Sequence, residues 1–255
     1  MKTNVNEFET LLKKATMNYS INTAQIRLED GKIKSNMISN ASDCITLLDM
    51  DNTVFQADEY LEFNFLDPNI NLVPFLNLVD EDEVDIDVND EKIVLKSSNQ
   101  RANIHFCSPH VVGVFSANSV REDLSSFLTL DIDDMFIEAY QKIKKIGNRF
   151  KQVYFNIENN AFVIESTDKT NRYSNGLKIN LVDKIAKKKS DAPNDLSLCF
   201  DFRNFTNFMT VINGDADRFK VSFTYNFDQE LGMMCGEKDD GSEKYILMSR
   251  REGGE

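Results

Sequence analysis

Two stretches of this chain repeat each other about half its length apart, and that repeat constrains the fold more than any other feature. FETLLKKATMN (Phe8 to Asn18) followed by QIRLEDGKIKS (Gln25 to Ser35) returns as MFIEAYQKIKKIGN (Met135 to Asn148) followed by VYFNIENNAFVIES (Val153 to Ser166). Each copy reads as an amphipathic helix with a lysine pair, then a strand hairpin. A third correspondence sets Glu62 to Val88 (EFNF…FLNLVDEDEVDIDV) against Cys199 to Phe223 (CFDF…FMTVINGDADRFKVSF). All three offsets fall near 130 residues. A fixed period of this size implies one supersecondary unit made twice. The 255 residues, 41% hydrophobic and 28% charged, suffice for two domains with a core each.

The pattern within each half is helix and short alternating strands. Phe8, Leu11, Leu12 and Ala15 share one face of a helix over residues 5–17. Glu29-Asp30-Gly31 predicts a hairpin turn between strands at 25–28 and 32–37. Further strands are predicted at 44–48, 60–66, 84–88, 92–96 and 103–107. A short helix within 69–79 should be broken by Pro74. The second half predicts strands near 127–130 and 177–182 and at 196–202, 218–225, 229–235 and 244–249. It also predicts helices at 133–147 and within 204–213 and a hairpin at 153–166. SPHVVGVFSANSVREDLSSF (Ser108 to Phe127) mixes Pro, Gly, Ser and Asn without periodicity, and reads as a connector. The expected domains are therefore 1–118 and 128–255, with the connector at about 108–127. The fold class is α+β, each domain placing two helices on antiparallel sheet whose other face is solvated.

Charge narrows the function. The net charge is −13, and residues 1–118 carry 9 basic and 19 acidic side chains against 20 and 23 in the remainder. Such a chain repels nucleic acid at long range, so any contact must come from a local basic stripe. Cys44, Cys107, Cys199 and Cys235 form no CxxC pair and lie in apolar stretches, as buried reduced thiols do. The start is polar, and no apolar run reaches the roughly 20 residues a bilayer requires. The expectation is a cytoplasmic protein with no membrane association. Enzyme signatures are lacking: there is no phosphate-binding glycine loop, no GxSxG and no HExxH, and neither His105 nor His110 has a ligand at metal spacing. No cofactor or catalytic residue is expected. DEDEVDID (Asp80 to Asp87) suits an exposed turn entering a half-buried strand better than a metal site, because no converging cluster accompanies it.

The basic helices carry more. Lys142, Lys145 and Arg149 fall at i, i+3 and i+7 on one face, beside an apolar stripe of Phe136, Tyr140, Ile143 and Ile146, with Lys144 bordering the two. In the first half Lys13 and Lys14 lie opposite Leu11, Leu12 and Ala15. One such helix is ordinarily a solvated face; the same lysine pair at equivalent places in both halves points to a surface that meets an anion. The cluster Lys184 to Lys189 lies in a polar loop and is open to either reading.

The chain resembles the DNA sliding clamps, the group of proliferating-cell nuclear antigen, and especially the polymerase clamps of tailed bacteriophages. The segments that carry the resemblance are FETLLKKATMNYSI near the start, LNLVDEDEVDIDVNDEKIVLKSS (Leu76 to Ser98) and the closing EKYILMSR (Glu243 to Arg250). It extends over nearly the whole chain, through collinear elements, the duplication and the acidic charge rather than any one motif. The resemblance implies a duplicated clamp fold that forms a ring of three protomers joined head to tail. The ring encircles double-stranded DNA without sequence preference and tethers DNA polymerase and other replication proteins. It also implies a clamp loader as partner and a viral protein acting in the host cytoplasm. Lys13, Lys14, Lys142, Lys144, Lys145 and Arg149 would face the duplex. A client peptide would enter an apolar pocket at Met37, Ile38, Phe115, Ile246 and Met248, with Val114 beside it. The sequence departs from the family at NINLVPFLNLV (Asn69 to Val79), which carries no cation where members place lysine, and Arg203 only flanks the corresponding helix of the second half.

Two other readings stay open on the residues: a duplicated β-rich viral structural or assembly protein without DNA contact, and a monomeric processivity subunit that grips DNA directly.

Overall fold

The computed structural model describes the chain except residues 58, 80–81, 117–125, 147–149, 159–160, 168–174, 182–195, 227–230 and 251–255. It divides into two units, Met1–Ser119 with Gly241–Glu243, and Val120–Asp240 with Lys244–Glu255.

In the first unit the order is β1 (Lys2–Asn4), α1 (Val5–Ala15), β2 (Thr23–Glu29), β3 (Lys32–Ile38), β4 (Cys44–Asp51), β5 (Leu61–Leu66), α2 (Pro68–Asn71), α3 (Val73–Leu76), β6 (Glu83–Val88), β7 (Lys92–Lys96) and β8 (Arg101–His105). The second unit runs β9 (Ser126–Asp131), α4 (Asp134–Ile146), β10 (Gln152–Glu158), β11 (Ala161–Ser166), β12 (Leu177–Leu181), β13 (Leu196–Asp201), α5 (Phe202–Ile212), β14 (Phe219–Asn226), β15 (Leu231–Lys238) and β16 (Glu243–Met248). Strands pair in the order β1-β6-β7-β8 and β5-β2-β3-β4 in the first unit, and β9-β14-β15-β16 and β13-β10-β11-β12 in the second. Adding eight to every strand number of the first unit gives the second. The duplication seen in the sequence is thus a duplication of topology.

Each unit distributes its strands over two sheet segments, where the alternating pattern alone suggested one helix-covered sheet. The reason is β1, a three-residue strand too short to carry a pattern, which pairs with β6 from Lys2–Asp85 to Asn4–Glu83 and starts a separate sheet. The third strand of the meander ends at His105 rather than Cys107, because the amides of Phe106 and Cys107 donate to Glu91 and Asn64 outside the ladder.

Local chemistry explains the helices. Asn4 caps α1 by accepting from the amides of Asn6 and Glu7, and Val5, Phe8, Leu11, Leu12 and Ala15 form its buried face. The hydroxyl of Thr46 on β4 donates to the Ala15 carbonyl at 2.7 Å, fixing the end of α1 over that strand. Pro74 sits in the first turn of α3 and splits the expected helix into two four-residue turns. In the other unit Asp201 caps α5 through the Asn204 amide, so the helix starts at Phe202, two residues earlier than its apolar pattern indicates. At the β2–β3 hairpin both central residues, Asp30 (φ 53°) and Gly31 (φ 72°), are left-handed, the conformation a two-residue turn requires.

With no tryptophan available, phenylalanine builds both cores. Phe8 meets Phe55 edge-on at 5.1 Å, and Phe63, Phe65 and Phe106 continue the cluster. In the second unit Phe155 contacts Phe162, Phe200, Phe205 and Phe223 at 5.2–5.8 Å, and Tyr140 joins α4 to α5 edge-on at Phe205. Offset and edge-to-face pairs of this kind add to burial itself. Among the described residues no helix is long and apolar enough to cross a membrane.

Candidate functional site

The two lysine-bearing helices differ once their side chains are placed. On α4, Lys142, Lys144 and Lys145 are all exposed. Lys142 pairs with Glu138 one turn earlier at 2.7 Å, and this ammonium holds the Glu138 carboxyl below its usual range. Lys144 lies over the Tyr140 ring, 5.6 Å from its centre, which steadies its stem and leaves the charge in solvent. Lys145 has no ion pair among the described residues. All three sit in the C-terminal half of the helix, where the helix dipole favours cations. Arg149 lies outside the described residues, as does Lys184–Lys189.

On α1 the lysines are engaged. Lys13 pairs with Glu9 at 2.7 Å and keeps 42% of its side-chain exposure. Lys14 is only 21% exposed, and its Nζ lies 2.7 Å from Oε1 of Glu243, a carboxylate that is 1% exposed. A buried carboxylate needs a fixed counter-charge, so Lys14 serves the fold first. Neither α2 nor α3 carries a cation; Ile70 and Phe75 are exposed there instead. The exposed charge on α5 is Arg203, accompanied by exposed Thr210.

The expected peptide pocket draws on both units, and each contribution is described by itself. In the first unit β3 alternates, so neighbouring side chains lie on opposite faces. Met37 is fully buried on the face that also carries Ile33 and Ser35. Ile38 is half-buried on the other face, opposite Ile45 of β4, which is followed on that face by half-buried Leu47. Met37 and Ile38 therefore do not present side chains to one surface, and the outer strip is Ile38, Ile45 and Leu47. The start of the connector reaches it directly. Met37 bridges Val114, the Ile38 amide donates to the Gly113 carbonyl, and the Phe115 amide donates to the Asn36 carbonyl. Val114 is exposed and Phe115 half-buried.

In the second unit Ile246 and Met248 share one face of β16 by the same alternation, with Ile246 3% exposed and Met248 half-buried. Across the ladder they face Cys235 and Met233 of β15, both half-buried. Burial pushes the Cys235 thiol up to about 11. Met233, Cys235, Ile246 and Met248 form a soft, thioether-rich apolar face of the kind that adapts to different side chains. Ile45, Leu47, Met233 and Cys235 were not among the residues expected from sequence; pairing register was the missing signal.

Among the described residues β8 and β12 each end a sheet. Among the described residues β8 pairs with β7 alone, and beside it a groove of about 400 Å³ is lined by Phe75, Leu78, Val79, Leu95 and Ala102. Among the described residues β12 pairs with β11 alone.

No protein-family model and no curated protein matches the chain. Solved structures do. The chain is similar over 99% of its length to the PCNA of A. fulgidus, solved with the C-terminal region of FEN-1, with a TM-score of 0.60 and 15% identity over 98% of that chain. It is similar to a DNA polymerase sliding clamp of Bacillus subtilis with a TM-score of 0.68 and 10% identity, spanning 64% of that longer chain. For the PCNA2–PCNA3 complex of Sulfolobus tokodaii the TM-score is 0.59 at 10% identity, over 98% of this chain and 99% of the other. The fold is that of the DNA sliding clamps.

Proposed function

We propose that the protein is a DNA sliding clamp, a processivity factor that encircles duplex DNA and tethers a polymerase to it, with no catalytic role of its own. The observation that carries this reading is the duplicated unit, which repeats one strand order twice and aligns with PCNA chains from end to end. In this reading three copies associate head to tail, β8 of one meeting β12 of the next. An unpaired edge bordered by exposed Phe75 and Leu78 is a surface that supports such addition. The α4 lysines then supply diffuse attraction to phosphate with no base readout, so the ring translates along DNA at little cost. The acidic remainder keeps DNA off the exterior. Client peptides of polymerase and other replication proteins dock on the apolar strips at Ile38 and at Met248. The FEN-1 segment bound to the A. fulgidus neighbour supports that mode. A clamp loader opens the ring, and the setting is a virus-infected cell.

Two measurements test this. Light scattering across a concentration series reads the mass, and retention is compared on closed circular and linearised DNA. A ring is held on the circle and lost from the free ends. A protein that stays monomeric at high micromolar concentration and low salt, with equal retention on both DNAs, is a structural protein or a direct DNA gripper instead.

A further inference from the structure

β2 and β3 part company before either strand ends. They are in register only from Arg27–Lys34 to Glu29–Lys32, while β2 remains paired with β5 from Thr23 to Leu28. Beyond the split, the Gln25 amide donates to the thioether of Met37 at 3.2 Å instead of to a β3 carbonyl. The backbone groups of Asn36 and Ile38 would be left over, and buried groups of that kind are costly. The connector takes them. Its Gly113 carbonyl accepts from Ile38 at 2.9 Å, its Phe115 amide donates to Asn36 at 2.9 Å, and the Gly113 amide points at the Thr23 hydroxyl at 3.4 Å. Residues 113–115 are thus a strand wedged into the opening between β2 and β3.

The wedge depends on the absence of a side chain. A Cβ added at Gly113 would lie 2.5 Å from the Ile38 carbonyl oxygen, a backbone atom that cannot swing away. Val114, 46% exposed, is paired with Met37 and shares its face, whereas Gly113 and half-buried Phe115 alternate onto the face of Ile38, where a Gly113 Cβ would also come within 3.5 Å of Ile38 Cγ2. We infer that Gly113 is a positioning residue for the client surface: it lets the connector close the β2–β3 split and so sets the height of Phe115 beside Ile38. The inference rests on the clamp reading for its functional half and on the hydrogen bonds alone for its structural half.

Native-state amide exchange and a polymerase titration separate the two halves. In the unmodified protein the Ile38 and Phe115 amides exchange as slowly as those of the β3–β4 ladder. In Gly113→Ala they exchange at least about tenfold faster while the β4 amides are unchanged. Thr23→Val, which removes the acceptor for the Gly113 amide without adding bulk, moves them in the same direction by less. Stimulation of the replicative polymerase of the same system on primed circular DNA then requires about tenfold more Gly113→Ala clamp for half effect, with the same plateau. A lowered plateau would signal general damage to the ring and overturn the positioning role. Fast exchange at Ile38 and Phe115 in the unmodified protein, or a titration unaltered by Gly113→Ala, also overturns it. If the unmodified protein stimulates no polymerase at all, the clamp reading fails while the exchange data still decide whether the wedge exists.

Discussion

The two units are built to one plan, yet their leading helices have diverged in what their lysines do. On α1 the carboxylates come from the helix and from far along the chain: Glu9 holds Lys13, and the buried Glu243 carboxylate holds Lys14. On α4 the one ionic partner among the described residues is Glu138, which is itself 67% exposed, and Lys144 and Lys145 stand in solvent. The lesson is that a repeated motif does not repeat its electrostatics. A lysine pair is free for a ligand only where no buried carboxylate competes for it.

The sharpest way to break this comparison is on DNA. Replacing Lys142, Lys144 and Lys145 together by Ala should collapse retention on circular DNA at moderate salt and lower the log–log salt slope by up to about 0.9 per lysine. Lys13→Ala should lose less than any α4 lysine; an equal or larger loss would show that the inner surface does not follow exposure.

Client binding comes next in size. Met248→Glu puts a charge on the half-buried thioether face of the second unit, and should abolish polymerase stimulation while the mass in solution is kept. A buried apolar anchor at such a face is typically worth about 2 kcal/mol or more. Met248 is a better site for this change than Ile246, which at 3% exposure is part of the core. Full stimulation by an assembled Met248→Glu protein would move the partner surface off β16.

Stability separates the two α1 lysines. Lys14→Ala takes the ammonium partner from the buried Glu243 carboxylate and should destabilise the protein by roughly 3 kcal/mol, read as a fall in the urea midpoint. Lys13→Ala removes a half-exposed i,i+4 pair and should change stability by less than about 0.5 kcal/mol. Similar midpoints for the two would remove the structural role given to Lys14.

The smallest effect concerns alkali. The Cys235 thiol is held neutral by burial, its pKa raised from 9.0 to about 11. A raised pKa gives stability that is whole below about 9 and is lost as pH climbs through about 11. Cys235→Ser should therefore flatten the alkaline limb of thermal stability. An unchanged limb would show that this thiol titrates as in the unfolded chain.

Much of the architecture was legible in the sequence because it is written locally. The duplication lies in collinear patterns, the β2–β3 turn in Asp30-Gly31, and the broken helix in Pro74. Expected and observed strands agree within one to three residues at most ends. What was not legible depends on partners far away. β1 is visible only through its pairing with β6, and the true end of β8 only through Glu91 and Asn64. Lys14 reads as an ordinary exposed lysine until Glu243, 229 residues on, is brought against it. The same holds at the proposed client surface. Met37 and Ile38 are adjacent in sequence and look like one wall, but alternation sends them to opposite faces, and only the helix-covered side of β4 tells which is inward.

The segment Gly241–Glu243 belongs to the first unit although the chain reaches it last. On a ribosome, the amino-terminal half emerges whole and still lacks the carboxylate that neutralises Lys14, along with the Ser242 carbonyl that receives the Asp49 amide. Synthesis must pass residue 243 before the first unit can complete these two contacts. A chain cut short before residue 241 therefore leaves these two contacts of the first unit unmade.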